Sequence, residues 1–182
     1  MIYLPNILSL IRIILVPLIL WLLIKDLFII SAITIIVVGL TDFFDGYLAR
    51  KYNSESLVGF YLDAIADKVL IITIYLILGI KLLLPLYLII LIVSREVLIS
   101  GAYLFKLALN LKFNLKPILI SKINTFLQIV LIIFVCFLSI NQINQLMEAM
   151  FIRNILIALV TITTIVSSLI YIIIWLKVVG SE

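Results

Sequence analysis

Four carboxylates, Asp42, Asp45, Asp63 and Asp67, cluster in one stretch of a chain that is otherwise almost entirely apolar. Asp42 and Asp45 are spaced i, i+3, and Asp63 and Asp67 are spaced i, i+4. Each pair therefore shares one face of a helix. The charged segment 51–58 separates the pairs and marks a membrane surface. At about 1.5 Å per residue, Asp42 and Asp67 each lie roughly 12 Å from the segment ends at Arg50 and Gly59, and Asp45 and Asp63 roughly 6–8 Å away. A hairpin folded at this segment brings the pairs together at matching depths. Four unpaired anions there would repel one another and take up protons. One or two divalent cations resolve the conflict, and ligands that are all oxygen point to magnesium, manganese or calcium rather than zinc. Carboxylates at membrane depth are costly and mark a functional site.

The elements that must position them follow from hydropathy. Of 182 residues, 66% are hydrophobic, and mean hydropathy is +1.45. No ordinary soluble domain is that apolar. Windows of about 20 apolar residues span a bilayer, and they fall at 7–25, 27–50, 59–81, 83–108, 117–141 and 149–177. The expected fold is an all-α integral membrane protein, a six-transmembrane-helix bundle forming one domain over 1–182. Asn6 is placed to cap the first helix. That helix lacks a basic leader and a small-residue cleavage site, so it reads as retained. The net charge of +4 does not point to nucleic acid, because the cations flank helices. Arg50, Lys51, Lys106, Lys112, Lys116 and Lys177 sit at one set of helix ends, and Lys25, Lys81 and Arg153 at the other. This asymmetry places the carboxylate loop and both termini in the cytoplasm. With one cysteine, Cys136, and no histidine, an intrachain disulfide and a Cys/His metal site are excluded.

The pattern Asp42-x2-Asp45-Gly46-x2-Ala49-Arg50-x8-Gly59-x3-Asp63-x3-Asp67 resembles the full signature of the CDP-alcohol phosphatidyltransferases. The resemblance implies a polar active-site cavity near the cytoplasmic face and transfer of a phosphatidyl group from CDP-diacylglycerol to an alcohol, with release of CMP. It implies a divalent cation, magnesium or manganese, two per site, on Asp42, Asp45, Asp63 and Asp67. It makes Asp67 the general base, and it assigns Asp42, Gly46, Arg50 and Gly59 to the cytidine diphosphate end of the donor. A homodimer in a bacterial-type inner or plasma membrane is implied too, with an organelle inner membrane as the other setting. The glycines have a plainer reading, since small residues also let membrane helices approach closely.

Other polar residues divide between two readings. Arg12 lies about two turns into an apolar helix, where it either snorkels to the interface or contacts a lipid phosphate. Lys68 reads as a snorkelled interfacial charge. Arg95, beside Glu96 in mid-helix, either forms a buried ion pair or faces the acceptor. Lys122, Thr125 and Gln128 recur every three residues and lie near one face, as acceptor-binding groups or as hydrogen-bonding glue between helices. The run LKPILISKINTFLQ resembles a stretch of eukaryotic-type cardiolipin synthases. Phosphatidylglycerophosphate synthases usually carry a second Lys where this chain has Asn124. A phosphate monoester carries close to two charges at neutral pH, and the phosphodiester of phosphatidylglycerol carries one. The expected acceptor is therefore phosphatidylglycerol, giving cardiolipin. Glycerol 3-phosphate is the alternative, and Arg95, Lys122 and Thr125 are the expected acceptor residues. A cation transporter also keeps carboxylates in the membrane, but here no acidic residue lies in mid-span of the last two helices to continue a path.

Overall fold

The computed structural model describes the backbone of residues 4–52, 57–108, 119–140 and 147–179, and the side chains of residues 14–41, 68–102, 119–139 and 147–176. Six helices are described: α1 Leu4–Ile24, α2 Phe28–Tyr52, α3 Leu57–Ile80, α4 Leu86–Ala108, α5 Leu119–Ile140 and α6 Met147–Val179. All helix ends fall within a few residues of those read from hydropathy. The described chain contains no strand. Asn6 and Pro17 both lie inside α1, so Asn6 does not cap it.

Two tight turns lie at one end of the bundle. After α1, the amide of Leu27 donates to Leu22 and that of Asp26 to Leu23. After α3, the amide of Leu83 donates to Leu78 and that of Leu82 to Gly79. Both patterns are Schellman caps, in which a left-handed residue lets the chain satisfy the last helical carbonyls. The left-handed residues are Asp26, with φ 60°, and Leu82, with φ 57°. Lys81 joins the two turns. Its Nζ donates to the carbonyl of Ile24 at 3.2 Å and to Asp26 Oδ1 at 2.5 Å, and it stands over the Phe28 ring. The start of α2 and the end of α3 are thereby held at the same level.

α1 packs against both α2 and α3, α2 against α5, α3 against α4, and α6 against α4 and α5. The core joins Ile19, Leu23, Tyr75, Leu78, Leu88, Leu131 and Val160. At the α3–α4 contact a Cβ on Gly79 would stand 2.1 Å from Ile89 Cδ1, so a larger residue there would force the end of the Ile89 side chain to move. The outer surface is apolar, with Ile14, Trp21, Ile33, Ile90, Phe126 and Ile162 among the exposed side chains.

Two described helical stretches are long and apolar enough to cross a membrane, Leu119–Ser139 and Met147–Leu176. Only 33% and 22% of their most apolar windows are buried inside the protein. The core helix of a soluble protein would be mostly buried, so these helices need an apolar surrounding. Shorter apolar helical stretches run over Ile14–Ile24, Phe28–Thr41 and Lys68–Ile80.

Leu82 is 89% exposed and holds its left-handed backbone at a steric cost of about 1–2 kcal/mol. Leu82→Gly removes that cost. A rise in the melting temperature of detergent-solubilised protein, equivalent to about 1 kcal/mol, is expected. An unchanged or lower value would contradict the strained turn.

Candidate active site

α2 carries Asp42, Asp45, Gly46 and Arg50, and α3 carries Gly59, Asp63 and Asp67. Their backbones are helical, so each pair keeps the one-face spacing expected of it. Their side chains lie outside the described residues, as does that of Arg12 on α1. Register is nevertheless defined by the joined turns. At about 1.5 Å per residue, Asp42 lies about 21 Å along α2 from Phe28, and Asp67 about 20 Å along α3 from Ile80. Asp45 and Asp63 both lie about 26 Å from those ends. Measured from the end opposite the charged loop, the two pairs again reach matching levels. Four hard oxygen donors at common levels on two helices suit a divalent cation bound by oxygen. Among the residues whose side chains are described, which do not include the four aspartates, no group of three or more Asp, Glu, His or Cys could hold a metal.

One residue after Asp67, a polar network begins. Lys68 is half-buried and donates to Ser100 Oγ on α4 at 2.7 Å. Ser100 donates in turn to the Glu96 carbonyl at 2.6 Å. Lys68 therefore turns inward to α4 rather than snorkelling to the interface. A buried hydrogen-bond partner outweighs the reach of its stem, because an unpaired ammonium in apolar surroundings is costly.

Arg95 is 2% exposed and Glu96 5%, and the two form an ion pair. The other terminal nitrogen of Arg95 donates to Ser121 Oγ on α5 and to Ser167 Oγ on α6, the latter at 3.3 Å. A single guanidinium thus joins three helices. Its Nε has no partner. Deeper in α5, Asn124 Oδ1 accepts from Thr163 at 2.8 Å and from Thr164 at 2.9 Å. Tyr75 donates to the Gln128 carbonyl at 3.0 Å. The amide nitrogens of Asn124 and Gln128, and the Gln128 side-chain oxygen, are buried without a partner. Such groups normally hold water or a ligand.

The expected stripe on α5 divides. Lys122 is exposed, Thr125 is half-buried and donates to the Ser121 carbonyl at 3.1 Å, and Gln128 is fully buried. A three-residue step turns a helix by about 300°, so the two uniform steps from Lys122 to Gln128 drift about 120° off one face. The face that enters the bundle is Ser121, Asn124, Gln128, Leu131 and Val135, whose alternating steps of three and four follow the helical period. That alternation was the available signal for Ser121 and Asn124 as interior polar residues. Nothing in the spacing of Ser100 or Ser167 sets them apart from other hydroxyls in apolar helices. Beyond Glu96, an apolar groove of about 320 Å³ opens between α4 and α6, lined by Val97, Leu98, Gly101, Tyr171 and Ile172.

Arg95→Met strands a buried Glu96 and leaves two serine hydroxyls without their donor. A loss of about 3–5 kcal/mol is expected for breaking a buried pair. Arg95→Met combined with Glu96→Leu should recover much of it. Thermal unfolding of both variants checks this, and a double variant less stable than the single one would contradict it.

Sequence comparison places the chain. A profile of the CDP-alcohol phosphatidyltransferases matches residues 2–180. Human cardiolipin synthase (CMP-forming) is 37% identical over 144 residues, covering 70% of this chain and 48% of that protein. The chloroplastic CDP-diacylglycerol–glycerol-3-phosphate 3-phosphatidyltransferase 1 of rice is 35% identical over 146 residues, 71% of this chain and 44% of that protein. The enzyme named CDP-diacylglycerol–glycerol-3-phosphate 3-phosphatidyltransferase in Rickettsia typhi is 38% identical over 131 residues, 69% of this chain and 71% of that protein. This chain spans about half the length of the cardiolipin synthases from human and rat that it matches. With its signature on two helices of matched register and a match along nearly its whole length, the chain belongs to the CDP-alcohol phosphatidyltransferase family.

Proposed function

We propose that this protein transfers the phosphatidyl group of CDP-diacylglycerol to the free hydroxyl of phosphatidylglycerol, forming cardiolipin and releasing CMP. The observation that carries the reading is the matched level of the Asp42/Asp45 and Asp63/Asp67 pairs on α2 and α3, in a chain whose family match covers residues 2–180. In this reading the six helices all span the bilayer as one domain, with the carboxylate end at the cytoplasmic face and a second copy completing a homodimer. The membrane is a bacterial-type inner or plasma membrane.

Asp42, Asp45, Asp63 and Asp67 would hold divalent cations, magnesium or manganese, two per site. Bound there, such cations neutralise the diphosphate and the charge developing on the leaving CMP. Arg50 grips the diphosphate, since a guanidinium matches two phosphate oxygens at once. Gly46 and Gly59 leave room for the cytidine diphosphate. Asp67 removes the proton of the acceptor hydroxyl. The oxygen then attacks the phosphorus that bears diacylglycerol, and the bond from that phosphorus to the CMP oxygen breaks.

Lys122 and Thr125 bind the acceptor phosphate from the edge of α5. Arg95, expected at the acceptor, is paired with Glu96 in the interior and through Ser121 holds that edge instead. Arg12 contacts a lipid phosphate from α1. The groove between α4 and α6 is of the right character for an acyl chain. The choice of phosphatidylglycerol over glycerol 3-phosphate is supported by Asn124. It stands where a second lysine would serve a doubly charged acceptor, and its oxygen is already engaged by Thr163 and Thr164.

The test is an acceptor screen with purified protein, CDP-diacylglycerol and magnesium. Cardiolipin should form with phosphatidylglycerol, and glycerol 3-phosphate should give little product. Exclusive use of glycerol 3-phosphate would overturn the acceptor. In the same assay Asp67→Asn should lose at least about a hundredfold in rate while still binding donor, the lower range for general-base work. Near-native turnover in that variant would remove Asp67 from the role.

A further inference from the structure

A second cavity, of about 560 Å³, lies at the end of the bundle opposite the carboxylates. Residues 82–87, which form the α3–α4 turn and the first turn of α4, make one wall. Arg153, Asn154, Ile157 and Ala158 on α6 make the other. No acidic side chain lines it. Arg153 is only partly exposed, and its Nε is buried with no hydrogen-bond partner. No ion pair of Arg153 occurs among the described residues. Glu148, in the first turn of α6, is exposed and is not bonded to it. The neighbouring cation at this end, Lys81, is already engaged by Asp26 and Ile24.

Depth sets what can occupy the cavity. The stretch of α6 from Ile155 to Leu176 has no charged residue and is bracketed by Arg153 and Lys177. At about 1.5 Å per residue it is about 33 Å long, the thickness of a hydrocarbon layer. Arg153 and Asn154 therefore stand at the edge of that layer, at the level of lipid phosphates. The cavity joins this polar edge to an apolar wall of leucines and Ile157. A guanidinium and an amide at one edge of an apolar recess suit a phosphate oxyanion that carries acyl chains.

We propose that this cavity binds the phosphate group of an anionic phospholipid in the leaflet opposite the carboxylates, on Arg153 and Asn154. The site is separate from the proposed reaction and does not depend on it. The two lie about 20 Å or more apart along α3.

The test places a tryptophan beside the cavity with Tyr87→Trp and measures quenching by brominated lipids in bilayer nanodiscs, as the difference from the parent protein. Brominated phosphatidylglycerol should quench about tenfold more tightly than brominated phosphatidylcholine, the size of one charged hydrogen bond. Arg153→Gln should abolish the preference, Arg153→Lys should keep part of it, and both should keep native circular dichroism and melting. Asp67→Asn should leave the preference intact, which separates this site from the catalytic one. Equal quenching by the two lipids, or a preference unchanged in Arg153→Gln, would overturn the proposal. Loss of the preference on adding millimolar inorganic phosphate would assign the cavity to free phosphate and overturn the lipid as its source.

Discussion

The constraint on which the site depends is the common origin of α2 and α3. Two Schellman-capped turns lie at one end of the bundle, and Lys81 reaches from one to the Asp26 side chain and the Ile24 carbonyl of the other. The Lys81–Asp26 contact is partly exposed and is worth little on its own, about 0–1 kcal/mol. Its importance is geometric. Once the start of α2 and the end of α3 share a level, the helical rise alone brings Asp42 level with Asp67 and Asp45 level with Asp63. A one-residue change in either turn would shift one pair by about 1.5 Å and rotate it by about 100°.

Polar groups are set into an apolar interior, and the exterior is apolar too, unlike that of a soluble bundle. Arg95, Glu96, Asn124, Gln128, Thr164 and Ser167 are buried, while long aliphatic side chains cover the outside. With lipid outside there is no hydrophobic gain from packing helices together. Close packing and interhelical hydrogen bonds must supply the specificity. Arg95 does this for α4, α5 and α6, and Asn124 with Thr163 and Thr164 for α5 and α6. Lys68, one residue after Asp67, bonds Ser100 on α4, so the helix that carries the proposed base is braced against the helix that carries Arg95.

Much of this was legible in the sequence because the membrane imposes simple rules. The apolar windows 27–50 and 59–81 met helices Phe28–Tyr52 and Leu57–Ile80, since only length and hydropathy were needed. The carboxylate spacing was legible for the same reason, as it depends on rise and turn alone. Side-chain direction was harder. Lys122, Thr125 and Gln128 read as one stripe, yet Lys122 is exposed and Gln128 is buried. The inward turn of Lys68 depends on Ser100, a partner 32 positions away that local pattern cannot supply. Arg95 lies in the interior as half of an ion pair, a placement that composition left open between packing and substrate.

The central claim is that the two carboxylate pairs form a single cation site across α2 and α3. Manganese binding, followed by electron paramagnetic resonance on the purified protein, tests it most directly. Tightly bound manganese should be present in the native chain and be lost both in Asp42→Asn, on α2, and in Asp63→Asn, on α3. Binding undiminished in either variant would contradict a shared site.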